Sequence, residues 1–154
     1  MINIAVLGYG TVGSGVVEVI RTNHESINKR AGEEINIKYV LDLREFPGDP
    51  VEEILVHDYE QIINDPEVEV VVEVMGGTGA AYDFIKRALL AGKNVCTSNK
   101  ALVAKYGPEL MDIAREKGIN FLFEASCGGG IPIMNDILVF ASSTLFFSFV
   151  NGYS

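Results

Sequence analysis

The sequence predicts an α/β protein with an open parallel sheet and helices on both faces, and two observations carry that expectation. Strand-like and helix-like apolar patterns alternate along most of the chain. At the N-terminus a short, mostly β-branched strand runs without a spacer into Gly8-Tyr-Gly10-Thr-Val-Gly13 and then into a helical pattern.

The elements follow in order. Residues 2–7 suit a buried parallel strand. Val12, Val16, Val17 and Ile20 recur on one helical face. Residues 22–36 are polar, contain Gly32 and read as a long link, and residues 35–41 form the second strand. Asp49-Pro50 and the 58–65 segment make a connection with a short helix. A third strand is expected over 68–75, ended by Gly76 and Gly77, and a helix over 80–90, closed by Gly92. A fourth strand (94–97), a helix over 108–117 capped by Gly118 and a fifth strand (120–123) complete the alternation. The whole reads as a Rossmann-like doubly wound sheet.

At 154 residues the chain suits one well-buried domain. Its net charge of −9, with the basic residues spread out, argues against nucleic acid or an anionic membrane as partner. The longest apolar stretch, 137–150, is 14 residues with Ser142, Ser143, Thr144 and Ser148 inside it, too short to span a bilayer. Cys96 closes an apolar run and Cys127 sits among glycines, so neither reads as a disulfide. With no secretory signal visible, a cytoplasmic location is expected. Acidic and basic residues vanish after Asp136, while Phe140, Phe146, Phe147 and Phe149 crowd together. That tail reads as an element continuing into a further domain, or as an altered terminus.

Chemistry is expected where strands end, because ligands of open α/β sheets bind at the carboxyl edge. In the first turn Gly8 permits the tight bend, Gly10 lets backbone approach a pyrophosphate and Gly13 lets the helix pack close. The helix N-terminus that follows offers free N–H groups to phosphate. Asp42 ends the second strand, 29 positions after Gly13 where about 20 is usual, and there it would accept from an adenosine ribose, favouring NAD. Arg44 could pair with a 2′-phosphate and favour NADP, and a solvated turn pair is the plainer reading of both. Gly76 and Gly77 would pass under the cofactor near its nicotinamide, or form a plain strand-to-helix turn. Lys100, just past the fourth strand, would stand over the nicotinamide and bind substrate oxygen, the alternative being a lone surface lysine. Glu124 precedes Gly128, Gly129 and Gly130, a loop whose exposed carbonyls suit a hard cation or serve only as a flexible link.

Together, Gly8-Tyr-Gly-Thr-Val-Gly-Ser-Gly15, Val72-Glu-Val-Met-Gly-Gly-Thr78, Thr97-Ser-Asn-Lys-Ala-Leu102 and Phe123-Glu-Ala-Ser-Cys-Gly-Gly-Gly-Ile-Pro-Ile133 resemble the N-terminal domain of the homoserine dehydrogenases. The resemblance covers about residues 2–134. It implies NAD(P)-dependent interconversion of L-homoserine and L-aspartate 4-semialdehyde, on the route to threonine, methionine and isoleucine. It also implies that Gly10, Thr11 and Val12 hold the pyrophosphate and that Lys100 lies beside nicotinamide and substrate. Glu124 and the carbonyls of Cys127, Gly129 and Ile131 would form a monovalent cation site, usually sodium. A homo-oligomer is implied for the complete enzyme.

The chain departs from the family in two places. Thr78-Gly79-Ala80 lacks the proline common at that helix entry. From Met134 the sequence diverges where the family continues into a second domain bearing substrate carboxylates and a proton-transfer lysine. The expected organisation is therefore a cofactor domain over 1–134 and a divergent apolar tail over 135–154, and the 154 residues alone are expected to bind dinucleotide without catalysis. Two other readings stand beside this one: a related NAD(P)-dependent dehydrogenase, usually marked by Glu-Lys-Pro after strand four, and a stand-alone dinucleotide-binding module.

Overall fold

The computed structural model describes residues 1–123. Strand β1 (Ile2–Leu7) is apolar on both faces, and its side chains divide accordingly. Ile4 and Val6 enter one core with Val16, Val17 and Ile20, while Ala5 and Leu7 enter another with Ile85, Leu89, Leu102 and Leu110. A strand buried on both sides is the mark of a parallel sheet covered by helices front and back. The first core is closed by helices α1 (Thr11–Thr22) and α2 (His24–Ala31), the second by α4 (Gly79–Leu90) and α5 (Lys100–Lys117).

The sheet is formed by β1, β2 (Ile35–Leu41), β3 (Leu55–Val56), β4 (Val68–Glu73), β5 (Asn94–Thr97) and β6 (Phe121–Phe123). All six strands run parallel in the order β3-β2-β1-β4-β5-β6. The chain winds outward from β1 to β3, then crosses back to β4 on the other side of β1. The connections after β1 and β4 therefore leave the sheet in opposite directions and open a crevice above their carboxyl ends. A short helix, α3 (Glu60–Ile63), lies in the crossover.

The expected strand 68–75 ends earlier, at Glu73, and three further elements differ from the sequence expectation. Residues 24–31, read as part of a polar link, form α2, which buries only Ile27 and Ala31 and ends on Gly32 in the left-handed conformation. That single i, i+4 pair is too thin a stripe to stand out among polar neighbours. Strand β3 was not expected because two residues carry no alternation, yet it is paired: Val40 N–H donates to Ile54 O at 2.9 Å and Asp42 N–H to Val56 O at 3.2 Å. Helix α5 begins at Lys100, with Pro108 in its interior rather than at its start. Its N-cap is Asn99, whose side-chain oxygen accepts from Leu102 N–H at 3.1 Å. Burial of Leu102 and Leu110 holds both halves of this helix to the sheet across the proline.

Candidate functional site

The first turn after β1 is set by sterics. Gly8 has φ +104°, a left-handed value costly to other residues. Gly13 lies so close that a Cβ there would fall 1.9 Å from the Gly8 carbonyl oxygen, so only glycine lets α1 seat on the turn. Gly10 is the opposite case: a Cβ added to it meets nothing within 4 Å. It caps α1 with extended backbone, no side chain caps that end, and its first turn carries no acidic residue. The N–H groups and positive dipole end of α1 therefore face an open space without a side-chain cap among the described residues, an arrangement suited to a phosphate anion.

A cleft of about 490 Å³ lies above the crevice and is lined by Gly8, Tyr9, Gly10, Asp42, Arg44 and Gly76 among others. Five residues expected in the site from sequence thus share one wall-to-wall space. Thr11, Val12 and Gly13 stand in the first turn of α1 beside it. At its β2 end the Asp42 carboxylate accepts from Tyr9 N–H at 2.9 Å and from Arg44 through its backbone N–H at 2.9 Å. The guanidinium reaches the same carboxylate with two further bonds, both 3.0 Å. These partners, the Arg44 side chain foremost, hold the Asp42 carboxyl down to about 2. Read separately from sequence, Asp42 and Arg44 are in fact a forked ion pair, with Asp42 10% exposed and Arg44 63% exposed.

His57 was not anticipated. It lines the same end, with Nδ1 2.6 Å from the Asp42 carbonyl and Nε2 2.8 Å from Glu45. The carbonyl hydrogen bond raises its pKa above the ordinary imidazole value. The only hint in the sequence was a histidine directly after a pair of apolar residues, too slight a signal for a strand end.

At the other end, β4 and β5 finish side by side, with Glu73 opposite Thr97. Glu73 is fully buried. Its carboxylate accepts from Met75 N–H at 2.9 Å and from the Thr97 hydroxyl. Thr97 Oγ1 in turn accepts from Asn99 N–H at 3.0 Å, and the Asn99 side chain donates to Gly77 O. Burial pushes the Glu73 carboxyl up, against the pull of hydrogen bonds from Thr97, Met75 and Asn99. Gly77, at φ +79°, supplies the left-handed turn of this loop. Lys100 follows Asn99 directly as the first residue of α5 and is exposed, outside the lining of the cleft. Glu124, Cys127, Gly129 and Ile131, the cation site expected by resemblance, lie outside the described residues. Among the described residues no cluster of three or more metal-ligating side chains occurs.

Comparison with known proteins fits this geometry. The family described as "Homoserine dehydrogenase, NAD binding domain" matches residues 8–124. The homoserine dehydrogenase of Bacillus subtilis is 40% identical over 98% of this chain and 36% of its own length, and that of Helicobacter pylori 39% identical over 99% and 37%. The crystal structure of Staphylococcus aureus homoserine dehydrogenase at pH 6.5 aligns with a TM-score of 0.75 at 42% identity, covering 86% of this chain and 34% of that one. A hyperthermophilic archaeal homoserine dehydrogenase mutant in complex with NADPH aligns with a TM-score of 0.65 at 25% identity, over 80% and 43%. The chain thus spans about a third of the length of its curated relatives.

Proposed function

The chain belongs to the homoserine dehydrogenase family, and on that premise we propose that it holds the nicotinamide dinucleotide of an enzyme interconverting L-homoserine and L-aspartate 4-semialdehyde. The observation that carries the reading is the open space over Gly10 at the uncapped start of α1, inside the cleft where the sheet order reverses. Gly10, Thr11 and Val12 would receive the pyrophosphate with backbone N–H groups. The adenosine half would lie toward β2, with Asp42 and Arg44 at its ribose, and the nicotinamide half toward Gly76, Gly77 and the start of α5.

Gly10, Thr11, Val12, Gly76 and Gly77 would hold the dinucleotide, which would supply a nicotinamide ring able to accept hydride from the carbon bearing the substrate hydroxyl. This chain's own part is to fix that ring and to stabilise charge at the substrate oxygen. Lys100 would serve the second task, since its ammonium can donate to a substrate oxygen that gains negative character as its proton passes to a base in homoserine oxidation, or as hydride arrives in semialdehyde reduction. Glu124 and the carbonyls of Cys127, Gly129 and Ile131 complete the reading as a monovalent cation site, sodium in kind. Residues 1–134 would be the cofactor domain, 135–154 the point where a substrate domain begins, and the complete enzyme a homo-oligomer in the cytoplasm. Among the described residues no helix is long and apolar enough to cross a membrane.

Gly10→Val tests the placement. The valine methyls would enter the space assigned to the pyrophosphate while meeting no protein atom at Cβ, so the fold should persist and affinity should fall at least ~100-fold, as expected when a steric block displaces charge-assisted phosphate contacts. Calorimetric titration with NAD and NADP reads this directly. Unchanged affinity in the folded variant would refute the site.

A further inference from the structure

We propose that Glu73 is a positioning residue: through Thr97 and Asn99 it fastens the Gly76-Gly77 loop to the first turn of α5, and so sets where Lys100 and the nicotinamide half of the cofactor meet. The inference rests on the functional reading above and names residues that the reading does not use.

Four observations support it. Glu73 has no exposed surface, although it ends a strand at the ligand edge of the sheet where most carboxylates would be solvated. An unpaired buried carboxylate is costly, and this one is surrounded by donors from both neighbouring strand ends: Met75 N–H from its own, the Thr97 hydroxyl from β5. Thr97 is buried as well and uses its oxygen twice, donating to Glu73 and accepting from Asn99 N–H at 3.0 Å. Asn99 is likewise engaged at both ends of its amide, accepting from Leu102 N–H at 3.1 Å and donating to Gly77 O.

The chain of contacts runs Glu73, Thr97, Asn99, Gly77, and it closes a ring between two loops that leave different strands. Lys100 is the residue next to Asn99, so its backbone inherits that placement. Valine has the shape of threonine, so what the Thr97 hydroxyl adds at this position is its hydrogen bonds rather than its volume. The polar atoms of the ring fix the relative position of the loop and the helix start. The Glu73–Thr97 end of this network is buried and the Asn99–Gly77 end reaches the surface, and the buried polar pair imposes one geometry where apolar contacts would allow several.

The test uses the 154-residue chain and two probes. ADP-ribose carries only the adenosine half with the pyrophosphate, whereas NADPH adds the nicotinamide, whose fluorescence reports its own surroundings. In Thr97→Val the dinucleotide should bind about tenfold more weakly, the scale of one lost buried hydrogen-bonded contact. ADP-ribose affinity should stay within about twofold in the same variant. The nicotinamide emission of the bound state should also move toward that of free NADPH. Thr97→Ser, which keeps the hydroxyl, should restore both affinity and emission. Glu73→Gln should follow Thr97→Val where it folds, and the threonine pair decides the matter where it does not.

Equal loss for both probes, or no loss for either in a folded Thr97→Val, overturns the positioning role. Failure of the unaltered chain to bind ADP-ribose and NADPH would instead remove the functional reading on which it rests.

Discussion

Asp42 carries two duties at one carboxylate. It accepts from Tyr9 N–H, which ties the glycine turn to the end of β2, and it holds the Arg44 guanidinium in a forked pair. A carboxylate already neutralised by arginine repels a 2′-phosphate less than a bare one, and an arginine already paired attracts it less. Removing Asp42 changes both quantities in the same direction, taking away a negative charge and freeing a guanidinium that is 63% exposed. Asp42→Ala should therefore raise affinity for NADP relative to NAD by roughly tenfold, measured as the ratio of two dissociation constants. A constant ratio would mean that neither side chain faces the ribose. With its carboxyl held at about 2, Asp42 stays ionised at any pH used for such titrations, so the ratio should not follow pH through this group.

Among the elements, β2 is held to the loop before β4 by a small charged cluster. Lys38 pairs with Asp65 at 2.6 Å and with Glu67 at 2.8 Å, and the Tyr39 hydroxyl donates to Asp65 at 2.7 Å. These partners, Lys38 first, hold the Asp65 carboxyl down to about 2, below its ordinary 3.8. A carboxyl with a lowered folded-state pKa stabilises the protein above its unfolded value, and that stabilisation is lost as pH falls toward the folded value. The window is thus pH 4 to 2. Asp65→Asn should lower stability near neutrality and flatten the decline on acidification through that window. Urea melts at pH 6, 4 and 2 supply the comparison, and a variant that declines as steeply as the parent would show that Asp65 is not the titrating group. Helix α5 makes a related point: Pro108 removes one internal hydrogen bond, and the helix persists because Leu102 and Leu110 are buried on either side of it.

For the molecule as a whole, one sheet with two apolar cores places the glycine turn, the β2 end and the β4–β5 ends around one crevice. A ligand spanning that crevice binds only the folded state, because no part of the crevice exists in the unfolded chain. Dinucleotide at ~100-fold its dissociation constant should then raise the unfolding free energy by about 2.7 kcal/mol. Thermal melts with and without cofactor check this, and Gly10→Val should show no rise. A stabilisation equal in parent and variant would locate binding elsewhere.

The α/β alternation, the glycine turn and the family are legible in the residues alone. Each is written in local signals: a β-branched run, glycines at fixed spacing, helical stripes as strong as Val12, Val16, Val17 and Ile20. Strand 35–41 and strand 94–97 were legible to the residue for the same reason. The tertiary structure alone decided the rest. Helix α2 and strand β3 are too weak locally to be read, and they exist because an adjacent core or strand accepts them. The start of α5 was hidden because Pro108 resembles a helix beginning, whereas the real cap, Asn99, is held by partners 22 and 26 residues away in the loop and strand it faces: Gly77 directly, and Glu73 through Thr97. The pairing of Asp42 with Arg44, the arrival of His57 beside them and the burial of Glu73 are likewise distances in space. Periodicity records which face of one segment is apolar, but the partner of a buried polar group is chosen only when strands distant in sequence are brought edge to edge.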